Sequence, residues 1–104
     1  MASISLIKIE EKHLRNPKEF ANEDLPSDQQ AKFHIIKGRV YCPIEFTQLI
    51  VQTLAIKTDC CKSVFSVEGF IIFFKTHRKC ICEGNFNRLK VTFACFDAGF
   101  SDLF

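Results

Sequence analysis

Apolar and polar residues alternate most regularly over residues 88–96, where Leu89, Val91, Phe93 and Cys95 interleave with Arg88, Lys90, Thr92 and Ala94. A period of two predicts a strand there, paired through Gly84-Asn85 with a preceding strand over residues 78–83. Ile4, Leu6, Ile7 and Ile9 form a shorter β-prone start, read as a first or edge strand. Residues 32–41 divide Phe33, Ile35 and Tyr41 from His34, Ile36 and Val40, and so read as another strand, with Gly38 as a bulge or a close backbone approach. The β-branched and aromatic run over residues 63–74 reads as one bent central strand, or two short ones broken near Glu68-Gly69.

The period changes once. Phe46, Leu49, Ile50, Thr53 and Leu54 recur at helical spacing, with Pro43 suited to a first helical position, Glu45 near the N-terminal dipole and Lys57 beyond the C-terminal end, so residues 43–55 are predicted as the central helix. Between the first two strands, residues 10–31 hold Asn16-Pro17, Asn22 to Asp24 and Leu25 to Asp28, too polar for a firm element apart from a brief helical turn over residues 17–21. They are read as a loop or excursion whose conformation depends on a partner. The expectation is a single α+β domain over residues 1–104, a mainly antiparallel four- or five-stranded sheet packed on one central helix. A small, partly closed β-barrel is the alternative.

Composition adds an aromatic surplus. Twelve phenylalanines among 104 residues exceed what so small a core needs, and a domain of this size leaves about a third of its surface unburied. In a helical tail over residues 97–104, Phe96, Phe100, Leu103 and Phe104 align on one stripe opposite Asp97 and Asp102. With no coherent catalytic set beside it, this stripe points to a noncatalytic protein-interaction subunit or adaptor. It would use an apolar sheet edge and the aromatic tail to bind another protein or to form a homodimer. The competing expectation is that the tail folds over its own sheet.

Charge supplies a second reading. The net charge is only +2, but it divides as −2 over residues 1–31, +6 over residues 32–90 and −2 over residues 91–104. Lys37, Arg39, Tyr41, Lys75, Arg78, Lys79, Phe86, Arg88 and Lys90 could place basic side chains around exposed rings, the requirement for a single-stranded nucleic-acid surface. The four glycines are dispersed, which disfavours a phosphate-cradling loop.

Six cysteines supply a third. The opening residues lack a basic leader and meet charge before an apolar signal core can form, so an intracellular protein, cytoplasmic or nuclear, with free and mainly buried thiols is expected. The apolar run closing at Lys75 is too short to span a membrane. Cys60, Cys61, His77, Cys80 and Cys82 are the candidate zinc ligands of a zinc-stabilised binding domain, and otherwise no cofactor is implied. Against zinc, an extended Cys80-Ile81-Cys82 would hold its thiols about 7 Å apart, whereas zinc needs them within about 4 Å. Of the adjacent Cys60 and Cys61, only one is expected to face inward. Cys61 beside Lys62, and Cys80 beside Lys79 with His77 as a base, offer only a weak case for a nucleophilic thiol.

Overall fold

The computed structural model describes residues 3–104. Strand β1 (Ile4–Lys8) pairs antiparallel with β4 (Leu54–Thr58), which pairs antiparallel with β5 (Val64–Ser66), in the order β1-β4-β5. A second, two-stranded antiparallel sheet is formed by β2 (His34–Ile36) and β3 (Arg39–Tyr41). Three α-helices complete the described residues: α1 (Glu11–Arg15), α2 (Val67–Thr76) and α3 (Arg88–Asp97). The α+β class is as expected, but the strands form two sheets instead of one, and no closed barrel exists among the described residues.

Strand β1 lies where the apolar start placed it. The strand expected over residues 32–41 is a hairpin: Lys37 and Gly38 both take positive φ (51° and 78°), the backbone of a two-residue primed turn that matches the twist of the flanking strands. Gly38 is therefore the turn itself and not a bulge.

The helix predicted over residues 43–55 does not form. The Phe46 N–H closes a turn onto the Cys42 carbonyl, the Leu49 N–H bonds to the Val40 carbonyl, and Phe46 and Gln52 sit at positive φ, which a helix cannot accommodate. Leu54 begins β4. The β-branched density of Thr47, Ile50, Val51 and Thr53 disfavours a helix that has no further packing face to stabilise it. Leu49 is buried, whereas Phe46 and Ile50 are exposed.

Residues 63–74 split differently from expectation. Only Val64–Ser66 is strand, and the rest is α2. Ser66 Oγ accepts a hydrogen bond from the Gly69 N–H at 3.1 Å and donates to Glu45 at 2.6 Å, so the helix start is capped and tied to the turn that follows β3. From there Phe70, Phe73 and Phe74 recur at three and four residues and bury one face. A Cβ on Gly69 would lie 2.6 Å from Cys42 Sγ, so only glycine admits this approach. Packing of Phe65, Phe70, Phe74, Ile9, Ile56 and Ile71 makes the centre of the core.

The strands expected over residues 78–83 and 88–96 are replaced by a turn and by α3. Asn87 Oδ1 accepts from the Lys90 N–H and caps α3, and Val91 and Cys95, four apart, are its buried face. Arg88 joins the two helices: its guanidinium donates to the carbonyls of Phe74 and His77 and lies 4.1 Å from the centre of the Phe74 ring.

The polar excursion over residues 10–31 packs against the rest of the domain. It holds α1 and short 3-10 turns at Pro17–Ala21 and Ser27–Gln29, the first where a helical turn was expected. Lys57, on the central strand, donates to the carbonyls of Asp28 and Gln30 at 3.0 and 2.9 Å, and His13, Phe20 and Phe33 pack ring against ring. Burial lowers the pKa of both Lys57 and His13. No helix among the described residues is long and apolar enough to cross a membrane.

Candidate metal centre

Two turns place the cysteines. The first joins β4 to β5: the Lys62 N–H bonds to the Thr58 carbonyl, the Thr58 N–H bonds to the Ser63 carbonyl, and Lys62 takes a φ of 60°. This tight bend presents Cys60 and Cys61 together. The second follows α2: Lys79 and Asn85 form an isolated bridge, the Cys80 N–H bonds to the Gly84 carbonyl, and the Glu83 N–H bonds to the Cys80 carbonyl. Because Cys80-Ile81-Cys82 is wound into this turn, the wide separation expected of an extended strand does not arise.

The turns face one another through sulfur. Cys82 Sγ lies 3.3 Å from Cys60 Sγ, Cys61 Sγ lies 3.6 Å from Cys80 Sγ, and all four sulfur atoms lie within 4.8 Å of one another. A tetrahedron of sulfur around zinc, with bonds of about 2.3 Å, has edges of about 3.8 Å, so the donors already lie near the required spacing. All four cysteines are free thiols, Cys80 buried, Cys61 half-buried, Cys60 and Cys82 exposed. The objection that adjacent Cys60 and Cys61 cannot both contribute is overturned, since each meets a different cysteine of the facing turn.

The surroundings suit an anionic centre. Four thiolates around a divalent ion leave a net charge of −2, and the small cavity lined by Cys60 and Cys61 also holds Lys32 and Lys62 against a single acid, Glu23. Burial pushes the Cys61 thiol up, but hydrogen bonds from the Ser63 and Thr58 hydroxyls, the Ser63 backbone and Cys80 outweigh it and bring its pKa down to about 6. Burial pushes up the thiols of Cys60 and Cys80, and hydrogen bonding to Cys82 and Cys80 adds to the effect at Cys60. The Cys61 thiolate is thus favoured while burial disfavours ionisation of Cys60 and Cys80, whose protons a divalent ion would displace on binding.

His77, the remaining candidate ligand, lies outside this cluster. Its ring stacks on Phe73 at 4.4 Å, and its Nδ1 is within hydrogen-bond distance of Thr76 Oγ1 at 2.8 Å, at the end of α2. Cys42 and Cys95 are buried core residues, and burial alone raises the Cys95 thiol. Cys95 belongs to α3 and Cys82 to the turn, not to the strand interiors expected for them.

The proposed interaction residues separate. Phe100 and Leu103 are half-buried against the core, with a 3-10 turn at Ser101–Leu103, while Phe96 and Phe104 face outward with their rings 5.5 Å apart. Lys75 donates to the Leu103 carbonyl and holds the tail against α2. At the exposed sheet edge, Leu6 on β1 is accessible.

Among the candidate nucleic-acid residues, Arg88 and Lys75 are engaged in internal hydrogen bonds, Phe86 is buried among Phe70, Phe73 and Phe74, and Tyr41 is half-buried. Lys37, Arg39 and Tyr41 lie on the β2–β3 hairpin, Lys75 on α2, Arg78 and Lys79 on the cysteine turn, and Arg88 and Lys90 on α3, so the set is distributed over four elements. The convergence of Cys60 with Cys82 was legible only as two cysteine pairs, each beside turn-forming residues, Asp59 in one case and Gly84-Asn85 in the other. Comparison with known proteins finds no matching family, no matching curated protein and no matching solved structure.

Proposed function

We propose that the protein is a noncatalytic interaction domain whose two cysteine turns are joined by one structural zinc ion, held by Cys60, Cys61, Cys80 and Cys82. The observation that carries this reading is the placement of four sulfur donors within 4.8 Å of one another by two separate turns. Four thiolates complete the coordination of zinc and leave no position for water or substrate, the arrangement of structural rather than catalytic sites. The ion would close the loop between the β4–β5 turn and the segment linking α2 to α3, and so hold α3 against the sheet. The exposed apolar side chains on α3 and the tail are the surface that this scaffold presents.

The test is the mass of the reduced protein under native conditions, before and after exposure to a strong chelator. One zinc per chain, removed by chelator and absent from a Cys60→Ser/Cys82→Ser variant, is the expected result. A metal-free wild-type protein that does not take up added zinc contradicts the reading.

A further inference from the structure

Helix α3 bears its charges in the opposite sense to its own dipole. Arg88 and Lys90 stand in its first turn and Asp97 at its end, with no acidic residue in the first turn and no basic one in the last. Arg88 is accounted for, because it binds the carbonyls at the end of α2. Lys90 and Asp97 are not: both are exposed, and among the described residues neither joins an ion pair.

Between them runs an uncovered apolar stripe. Leu89, Phe93 and Phe96, spaced by four and three residues, are 65%, 57% and 46% exposed, while Val91 and Cys95 on the opposite side bury the helix against its own domain. Such spacing is the seam of a helix that packs on another helix, and it lies opposite the face already used. Phe104, against Phe96, extends the stripe.

We propose that this face of α3 binds the same face of a second copy of the chain, the two helices running antiparallel about a twofold axis beside Phe93. The charge pattern selects this occupant. Lys90 and Asp97 are seven residues apart and so lie along one edge of the stripe. Reversing one helix against the other brings Lys90 of each copy opposite Asp97 of its partner, with Leu89, Phe93 and Phe96 meeting between them. A twofold contact requires a patch complementary to itself, and a basic end, an apolar centre and an acidic end on one helix face satisfy that condition. Antiparallel pairing also sets the two helix dipoles in opposition and puts a compensating charge near each end. The inference rests on the interaction reading and names its partner. It places none of its contacts at the zinc site.

Sedimentation velocity over a wide concentration range, with zinc content measured on the same samples, tests it. The wild-type chain should sediment as a dimer at high concentration and dissociate on dilution, and Phe93→Asp should leave a monomer with unchanged zinc and unchanged circular dichroism. Lys90→Asp and Asp97→Lys each place a charge that suits the isolated helix, so neither should impair folding. Each should nevertheless weaken the dimer about tenfold, and the doubly exchanged protein should recover it. A wild-type monomer at every concentration, or a dimer indifferent to these substitutions, overturns the proposal. Loss of zinc with the dimer intact would overturn the metal reading instead.

Discussion

The sheet with α2 and the cysteine turn that follows it are held together by different means. In the first, Phe65, Phe70, Phe74, Ile9 and Ile56 are buried and hydrogen bonds run strand to strand, so the order is that of an apolar core. In the second, between the end of α2 and the start of α3, Arg78, Lys79, Ile81, Cys82, Glu83 and Asn85 are exposed, and inside burial falls to Cys80 and Phe86. A few turn hydrogen bonds, the Arg88 bond to the His77 carbonyl and four facing thiols remain to fix that segment. The contrast shows how a chain of this size can extend beyond what its core will stabilise: where apolar area runs out, a metal cross-link can supply the order.

The largest effect should come from the core. Phe70 is fully buried and touches Phe65, Phe74 and Phe86, so Phe70→Ala should cost about 3–5 kcal/mol in chemical denaturation and lower the protection of the whole sheet. Cys80→Ser should act on the other region. Zinc affinity should fall more than about a hundredfold, equivalent to about 2.7 kcal/mol, and hydrogen exchange should accelerate over residues 77–87 well before it does in β4. If both substitutions loosened both regions equally, the distinction between them would be lost.

The smallest effect belongs to the excursion, which shares the apolar mode of stabilisation. The Glu10 N–H donates to His13 Nδ1 at 2.9 Å, so this nitrogen must be unprotonated, and burial already holds the His13 pKa below its ordinary value of 6.5. The stabilisation is therefore complete above pH 6.5 and is lost as the pH falls through the folded value, where the unfolded chain binds the additional proton. Stability measured by denaturation should decline below pH 6.5, and His13→Gln should remove that part of the slope.

What could be read from the chain follows the same division. Strand β1 and the helical turn at Pro17–Ala21 depend on local pattern and were legible. Helix α2 was hidden by its own composition: Phe70, Ile71, Ile72, Phe73 and Phe74 suit a strand by propensity, and only the Ser66 cap and the three- and four-residue recurrence of buried Phe favour a helix. Helix α3 was hidden by an accident of alternation, because Leu89, Val91, Phe93 and Cys95 satisfy a period of two while burial follows Val91 and Cys95 at a period near four. Residues 43–55 carried helical spacing that tertiary contacts along β3 override. The cysteines were legible as ligand types, but their meeting depends on positive φ at Lys62 and Glu83, which shapes two turns and leaves no periodic trace.

Zinc-edge X-ray absorption on the reduced, zinc-loaded protein counts the ligand atoms around the ion and measures their distance. A site made by Cys60, Cys61, Cys80 and Cys82 gives four sulfur neighbours at about 2.3 Å and no nitrogen or oxygen. Nitrogen or oxygen bound to the metal, or zinc that dissociates during desalting, would rule out the four-cysteine site.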